Sequence, residues 1–357
     1  MITPSNIDEL QSCLRGSSRL LPVGGRTKPA LSTPPRSDIE TVNLKKISVI
    51  IEYEPSEYTF TALAGTALGE VEAMLADNGQ YLPFDPPFIK AGATLGGTVA
   101  AGMNGPGSYR YGGIRDFILG IELIDGNGER LRAGGKVVKN AAGFDLPKFM
   151  IGSLGRFGVL TELTFKVFPK PPDELTFAIP TTGIMDALHL MTEIANGPWD
   201  LDALEIEPNE PPVLLVIRIR GNESALKERA ERIGVSTGRS VELFDPQIAS
   251  FYWNRRNAFS WADDDQSTLI KILCTPSNLA SMEAALAEQG NVRIYSIGGN
   301  VAYVSGNLPR SLLDDEDTPA LTLRGDQVFA STPSALMTRI KQTLDPRDRF
   351  PGLASSS

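Results

Sequence analysis

Seventeen of this chain's 34 glycines lie between Ala91 and Gly158. The segment reads AGATLGGTVAAGMNGPGSYRYGG near its start and KNAAGFDLPKFMIGSLGRFG near its end. Without a Cβ, glycine takes positive φ and lets main-chain N–H groups approach a ligand closely. Such density in an apolar segment predicts main chain wrapped around something flat and anionic. A flexible linker would lack the Leu95, Val99, Phe117, Ile121, Leu123, Val159, Leu163 and Phe165 that run through it. The tight turns of an all-β domain would use the same glycines, so the segment alone leaves that reading open.

A second loop upstream shifts the balance. Leu20 to Val23 reads as a short strand, and it runs into Gly24-Gly25-Arg26-Thr27-Lys28. Successive N–H groups in such a loop converge on phosphate oxygens, and Arg26 or Lys28 adds charge. The spacing is neither G-x-x-x-x-G-K-[ST] nor G-x-G-x-x-G, so an ordinary surface turn is the plain alternative. Downstream, Thr94-Leu95-Gly96-Gly97-Thr98-Val99-Ala100-Ala101-Gly102 predicts a short helix with glycines in its first turn. Open N–H groups and the positive end of the helix dipole would then face a pyrophosphate. The two loops, about 70 residues apart, are expected to grip one diphosphate from two sides.

The whole chain narrows the function classes. Its 357 residues allow two domains, each with its own core. A net charge of −9 disfavours nucleic acid or an anionic membrane surface as the main partner. The N-terminal MITPSNIDEL has neither a basic n-region nor an apolar h-region, and no run approaches the length of a membrane span. The expectation is a cytoplasmic protein, or one peripheral to a membrane through its partners. Cys13 and Cys274 form no C-x-x-C arrangement, so no cysteine-held cluster or zinc site is expected. The single histidine, His189, falls off the Ile184, Leu188, Met191 stripe of a predicted helix and should face solvent. General-base chemistry is thereby denied its commonest residue.

Several motifs recur in an order that resembles a known family. They are Pro22 to Lys28, Ala64-Gly65-Thr66, Gly96-Gly97-Thr98, Arg110-Tyr111-Gly112, Lys139 to Leu146 and Gly152-Ser153-Leu154-Gly155. Together they resemble the FAD-binding domain of the vanillyl-alcohol oxidase / p-cresol methylhydroxylase family. Within that family, the K-N-x-A-G-[YF]-D and G-S-L-G-x-x-G-V pair is most similar to the FAD-binding subunits of bacterial glycolate oxidases. The likeness spans roughly residues 18 to 170 and the closing Leu344 to Gly352. Arg156 stands where a small residue is common and Phe144 where Tyr is usual.

The resemblance implies an α+β fold: a two-subdomain FAD-binding domain over 1–172, an antiparallel-sheet, ferredoxin-like cap over 173–330, and a C-terminal helix and tail over 331–357. It implies a diphosphate held by Gly24, Gly25, Arg26, Thr27, Lys28 and by Thr94, Gly96, Gly97, Thr98. The segment from Gly152 to Thr161, with Gly152, Gly155, Gly158 and Val159, would approach the adenosine half, Arg110, Gly112 and Gly113 would lie nearer the flavin, and Asn140 and Gly143 would also bind the cofactor. Some members bond the flavin to His or Cys. With no His in the first 172 residues and Cys13 on the first helix, dissociable FAD is expected.

After Pro169-Lys170-Pro171-Pro172 the pattern changes to strand and helix units spelling βαββαβ, with a similar order beginning again at Leu269. A helix-covered antiparallel sheet follows, with its helices expected on one face. Between the repeats, Phe251 to Phe259 resembles the W-x-x-R stretch of flavin-dependent 2-hydroxy-acid oxidases. There Arg256 is the candidate partner for a substrate carboxylate, a task suited to a planar guanidinium. The alternative makes Arg255 and Arg256 solvated helix residues with Trp253 as core anchor. The resemblance further implies a hetero-oligomer, with a homologous FAD-containing catalytic subunit, an iron–sulfur subunit and a small 2-hydroxy-acid substrate. A self-sufficient dehydrogenase and a flavin-free scaffold remain as rivals.

Overall fold

The structure is a computed structural model that describes residues 1–16, 19–31, 39–135, 144–262, 267–309, 312, 319–326 and 333–353. It divides into two compact units. The first gathers Met1–Asn104, Gly113–Lys170 and Ala330–Ser357; the second comprises Gly105–Gly112 and Pro171–Phe329.

The first unit has strands β1 (Leu20–Val23), β2 (Glu40–Asn43), β3 (Ile50–Glu54), β4 (Thr59–Leu63), β5 (Gln80–Tyr81), β6 (Ile118–Ile124), β7 (Arg130–Gly134), β8 (Val159–Lys166) and β9 (Phe168–Pro169). A five-stranded antiparallel sheet runs β3-β4-β8-β6-β7, while β1 and β2 pair in parallel beside it. β8 is buried almost throughout, as befits the central strand, and Phe165 stacks on Phe60 of β4 at 5.8 Å between ring centroids. A separate cluster joins Leu10 and Leu14 of the N-terminal helix Ile7–Gly16 to Leu20, Val42, Ile124, Val159 and Phe350. Residues from both chain ends thus share one core with the strand that carries the first glycine loop.

The second unit holds β10 (Asp173–Thr181), β11 (Leu201–Glu207), β12 (Val213–Gly221), β13 (Glu242–Leu243), β14 (Leu269–Leu273), β15 (Val292–Ser296), β16 (Val301–Ser305) and β17 (Ala320–Arg324) in one eight-stranded sheet. Its order is β13-β10-β12-β11-β15-β16-β14-β17. Numbered within each repeat, this is 4-1-3-2 followed by 2-3-1-4. Two ferredoxin-like modules therefore meet through their second strands, at Ile206 opposite Tyr295. The sequence pattern had not revealed β17, the fourth strand of the second repeat.

Strand alternation gives the sheet two different faces. Phe177, Ile179, Leu215, Ile217 and Ile272 point toward helices Ile184–Ala195, Glu223–Thr237 and Leu279–Glu288, forming the large core. Ala178, Ala203 and Val216 point the other way and receive Trp253 of helix Pro246–Ala258. The expectation of helices on one face is corrected for this fourth helix, because the intervening residues of β10 to β12 leave a small-residue seat that an indole fills. Helix Glu223–Thr237 contains Gly234 in its last turn and ends at Gly238. Gly234 is there for close packing: a Cβ would lie 2.7 Å from Val241.

Gly105–Gly112 belongs to the second unit for a visible reason. Tyr109 packs against its core, and Arg110 pairs with Asp200 at 2.5 Å. His189 is exposed, as its position on the helix predicts.

Candidate functional site

Three glycine-bearing segments of the first unit come together around a cleft open to solvent. β1 delivers the first, Gly24 to Lys28, and all five of these residues line the cleft. The second is the start of helix Leu95–Ala101, contributing Thr94, Gly96 and Gly97; the third contributes Ser153, Leu154, Gly155 and Gly158. The first two loops touch. A Cβ on Gly25 would overlap the Gly92 carbonyl, and one on Gly24 the Thr94 hydroxyl. The third leans on the first: Gly155, at φ +70°, lies where a Cβ would sit 2.6 Å from Pro22 Cγ. It is also tied to the second, because Gly152 and Leu154 N–H groups donate to the Val99 and Ala100 carbonyls at 3.0 and 2.9 Å.

The donors are distributed differently from the sequence expectation. In helix Leu95–Ala101 the first-turn amides are already in use: Leu95 N–H donates to Thr66 O at 2.9 Å, Gly96 to Ala64 O at 2.8 Å, and Gly97 to Thr94 Oγ1 at 3.3 Å. This corrects the expectation of open N–H groups there, since the turn after β4 takes two of them and Thr94 the third. Gly96 is required for close approach, as a Cβ would meet that of Ala64 at 2.6 Å. By contrast, among the described residues no acceptor receives any of the five backbone N–H groups from Gly24 to Lys28. Arg26 takes φ +55°, the left-handed conformation that also occurs in anion nests.

Lys28 supplies the cleft's buried charge. Its side chain is 8% exposed, donates to the neighbouring Thr27 Oγ1 at 2.9 Å and lies 5.1 Å from the centroid of the Phe88 ring. Burial alone lowers its ammonium from the ordinary 10.5 to about 8. No carboxylate pairs with it among the described residues. The Ser153 hydroxyl, which also lines the cleft, is buried without a hydrogen-bond partner among the described residues. Unused amides, an unpaired ammonium and an orphaned hydroxyl around one cleft are the donor set of a phosphate-bearing ligand. A dinucleotide diphosphate therefore fits the residues present.

Other expected residues stand elsewhere. Thr98 is buried behind the cleft with no partner for its hydroxyl, Gly152 braces the second loop, and Val159 is part of the core. Gly113 packs on Asn104 within the first unit, whereas Arg110 and Gly112 belong to the second. Asn140 and Gly143 lie outside the described residues. The pattern singled out neither Ser153 nor Leu154 as a lining residue, although both sit inside the Gly-Ser-Leu-Gly motif.

Arg256 is 3% exposed, and its Nε donates to Glu205 Oε2 at 2.8 Å while the guanidinium lies 4.7 Å from the Tyr303 ring centroid. Glu205 also accepts from Ser296 Oγ. A carboxylate of the chain itself thus stands where one from a substrate was expected, and Arg256 is a buried ion-pair residue rather than a solvated one. The same sheet face carries Lys271. Alternation with Ile270 and Ile272 turns it away from the large core, directly across from Tyr303, and it has no ion-pair partner among the described residues. Burial pushes its ammonium below the ordinary lysine range. Its sequence signal was a lone charge inside the apolar strand Leu269–Leu273.

Comparison with known proteins agrees with the cleft. Residues 1–134 match the family described as FAD binding domain. The chain is 36% identical over 233 residues to "Glycolate oxidase subunit GlcE" of Escherichia coli (strain K12), covering 64% of this chain and 63% of that one. It is 25% identical over 324 residues to "Glycolate oxidase subunit GlcD" of Bacillus subtilis (strain 168), covering 89% and 64%. It spans just under two thirds of the length of both. A solved structure of alkyldihydroxyacetonephosphate synthase superposes with a TM-score of 0.72 at 15% identity, covering 97% of this chain and 75% of that one, a likeness of fold. Among the described residues no helix is long and apolar enough to cross a membrane, and no acidic, His or Cys cluster is arranged to hold a metal.

Proposed function

We propose that this chain, whose N-terminal part is an FAD binding domain, is the FAD-carrying subunit of a glycolate oxidase-type complex acting on a small 2-hydroxy acid. The observation that carries the reading is the run of five backbone N–H groups from Gly24 to Lys28 that no acceptor takes among the described residues, in a cleft also lined by Ser153, whose hydroxyl is buried and without a partner among them. The likeness to glycolate oxidase subunits supports the substrate class and the partners: a homologous FAD-containing catalytic subunit and an iron–sulfur subunit.

In this reading Gly24 to Lys28 hold the diphosphate, with Lys28 neutralising part of its charge. Gly96 and Gly155 let the walls close upon it, and Leu21, Ala100 and Leu154 exclude water from the groove between them. Bound FAD supplies two-electron oxidation of a carbon bearing a hydroxyl. The FAD is held non-covalently, because the one histidine is His189 of the second unit and Cys13 does not line the cleft.

A second reading is a self-sufficient dehydrogenase that uses a Tyr or Lys of this chain as base and needs no partner subunit. A flavin spectrum separates the two. The purified chain is expected to be yellow, to release its flavin on acid or heat treatment, and to bleach slowly or not at all with anaerobic glycolate or D-lactate until partners are co-expressed. Rapid bleaching of the chain alone would establish the dehydrogenase. A colourless protein that stays so after FAD is added would overturn both.

A further inference from the structure

The C-terminal turn is wired into two walls of the cleft although none of its residues lines it. Lys341, in helix Ala335–Leu344, is 9% exposed. Its Nζ donates to the carbonyl oxygens of Arg156, Phe350 and Pro351 at 2.6, 3.2 and 3.1 Å and pairs with Asp345 Oδ2 at 2.6 Å. Asp345 in turn accepts from the Arg349 and Phe350 N–H groups, both at 2.9 Å. The Arg349 guanidinium donates to the carbonyls of Leu14 and Arg15, and its own carbonyl accepts from Leu20 N–H at 2.7 Å.

Two of these contacts end next to the ligand groove. Leu20 is the first residue of β1, the strand that aims Gly24 to Lys28. Arg156 stands between Gly155 and Gly158, both lining residues. An ammonium with three backbone carbonyls and one carboxylate around it is over-determined for packing alone. It fixes the Arg156 peptide plane, and with it the direction of the segment that leans on Pro22.

We infer that Lys341 is a positioning residue for cofactor capture: through Asp345 and the 345–351 turn it holds the 155–158 wall at the spacing a dinucleotide needs. That the wall serves a dinucleotide rests on the function proposed above, whereas the wiring itself does not.

The test uses the full chain and two variants, Lys341→Met and the double variant Lys341→Met/Asp345→Asn, the second avoiding an unpaired buried carboxylate. Amide hydrogen exchange is measured without FAD at Gly152, Leu154 and Arg156, whose N–H groups are bonded to Val99, Ala100 and Ser153 carbonyls, and FAD affinity is measured by flavin fluorescence. In the double variant, exchange is expected to speed up at least tenfold at these three amides and at Leu20, while β4 and β8 keep wild-type rates, and the FAD dissociation constant is expected to rise at least tenfold. Unchanged exchange at the three amides, or equal acceleration across the sheet, would overturn the positioning role. If the wild type fails to bind FAD while the exchange result holds, the reading of the cleft falls and the wiring stands.

Discussion

Lys28 gives the sharpest test of how the cleft works, because its charge is costly until a ligand arrives. Burial without a carboxylate lowers its ammonium from 10.5 to about 8, a difference worth about 3 kcal/mol at 1.36 kcal/mol for each pH unit. Between pH 8 and 10.5 the unfolded chain holds a proton on this lysine that the folded chain has lost. Stability of the FAD-free protein therefore rises with pH in that window, and the penalty is fully present below pH 8. A diphosphate beside Nζ returns the ammonium toward its ordinary value, so FAD binding takes up a proton above pH 8. The FAD dissociation constant should be flat below pH 8 and rise by up to tenfold per pH unit above it, reaching about 300-fold if the ordinary value is fully restored. Titration of apoprotein by flavin fluorescence from pH 6 to 10, on wild type, Lys28→Met and Lys28→Arg, reads this directly. Both variants should lose the slope, and Lys28→Met should bind FAD about ten- to a hundredfold more weakly at pH 7 while its apo form no longer gains stability between pH 8 and 10. A wild-type slope that persists in Lys28→Met would refute the argument.

Three further outcomes follow from the same geometry. Gly25→Val places a side chain against the Gly92 carbonyl, and should abolish FAD retention with a loss of about 1–3 kcal/mol in stability, checked by absorbance at 450 nm and urea unfolding; a yellow variant contradicts it. Glu205→Ala strands Arg256, which is 3% exposed, and should cost about 3–5 kcal/mol in unfolding of the second unit; a loss below about 1 kcal/mol would mean that the pair is not a buried one. Lys271→Met should leave FAD binding unchanged and thermal stability equal or higher, since it removes from an apolar strand a charge that has no ion-pair partner among the described residues; a clear fall in the unfolding temperature would contradict this.

Local chemistry made much of this protein legible from sequence. The Ile184, Leu188, Met191 stripe placed a helix whose observed limits are Ile184–Ala195, and it put His189 outside. Gly24-Gly25 after an apolar strand and Gly96-Gly97 after a threonine marked two loops that do face one cleft. These signals survive because a turn or an amphipathic face is specified by residues a few positions apart.

Partners far along the chain decided the rest. The amides of Leu95 and Gly96 are consumed by Thr66 and Ala64, so among the described residues the backbone donors left for an anion in these two loops are those of Gly24 to Lys28. Arg256 looked available for a substrate until Glu205, 51 residues away, came to lie beside it. Lys341 reads as one more surface lysine of an amphipathic helix, and becomes structural only because Arg156, 185 residues distant, offers it a carbonyl. The physical reason is common to all three: spacing along the chain determines which groups a segment exposes, but whether a donor or a charge is free depends on its nearest acceptor in space, and that acceptor is chosen by the tertiary fold.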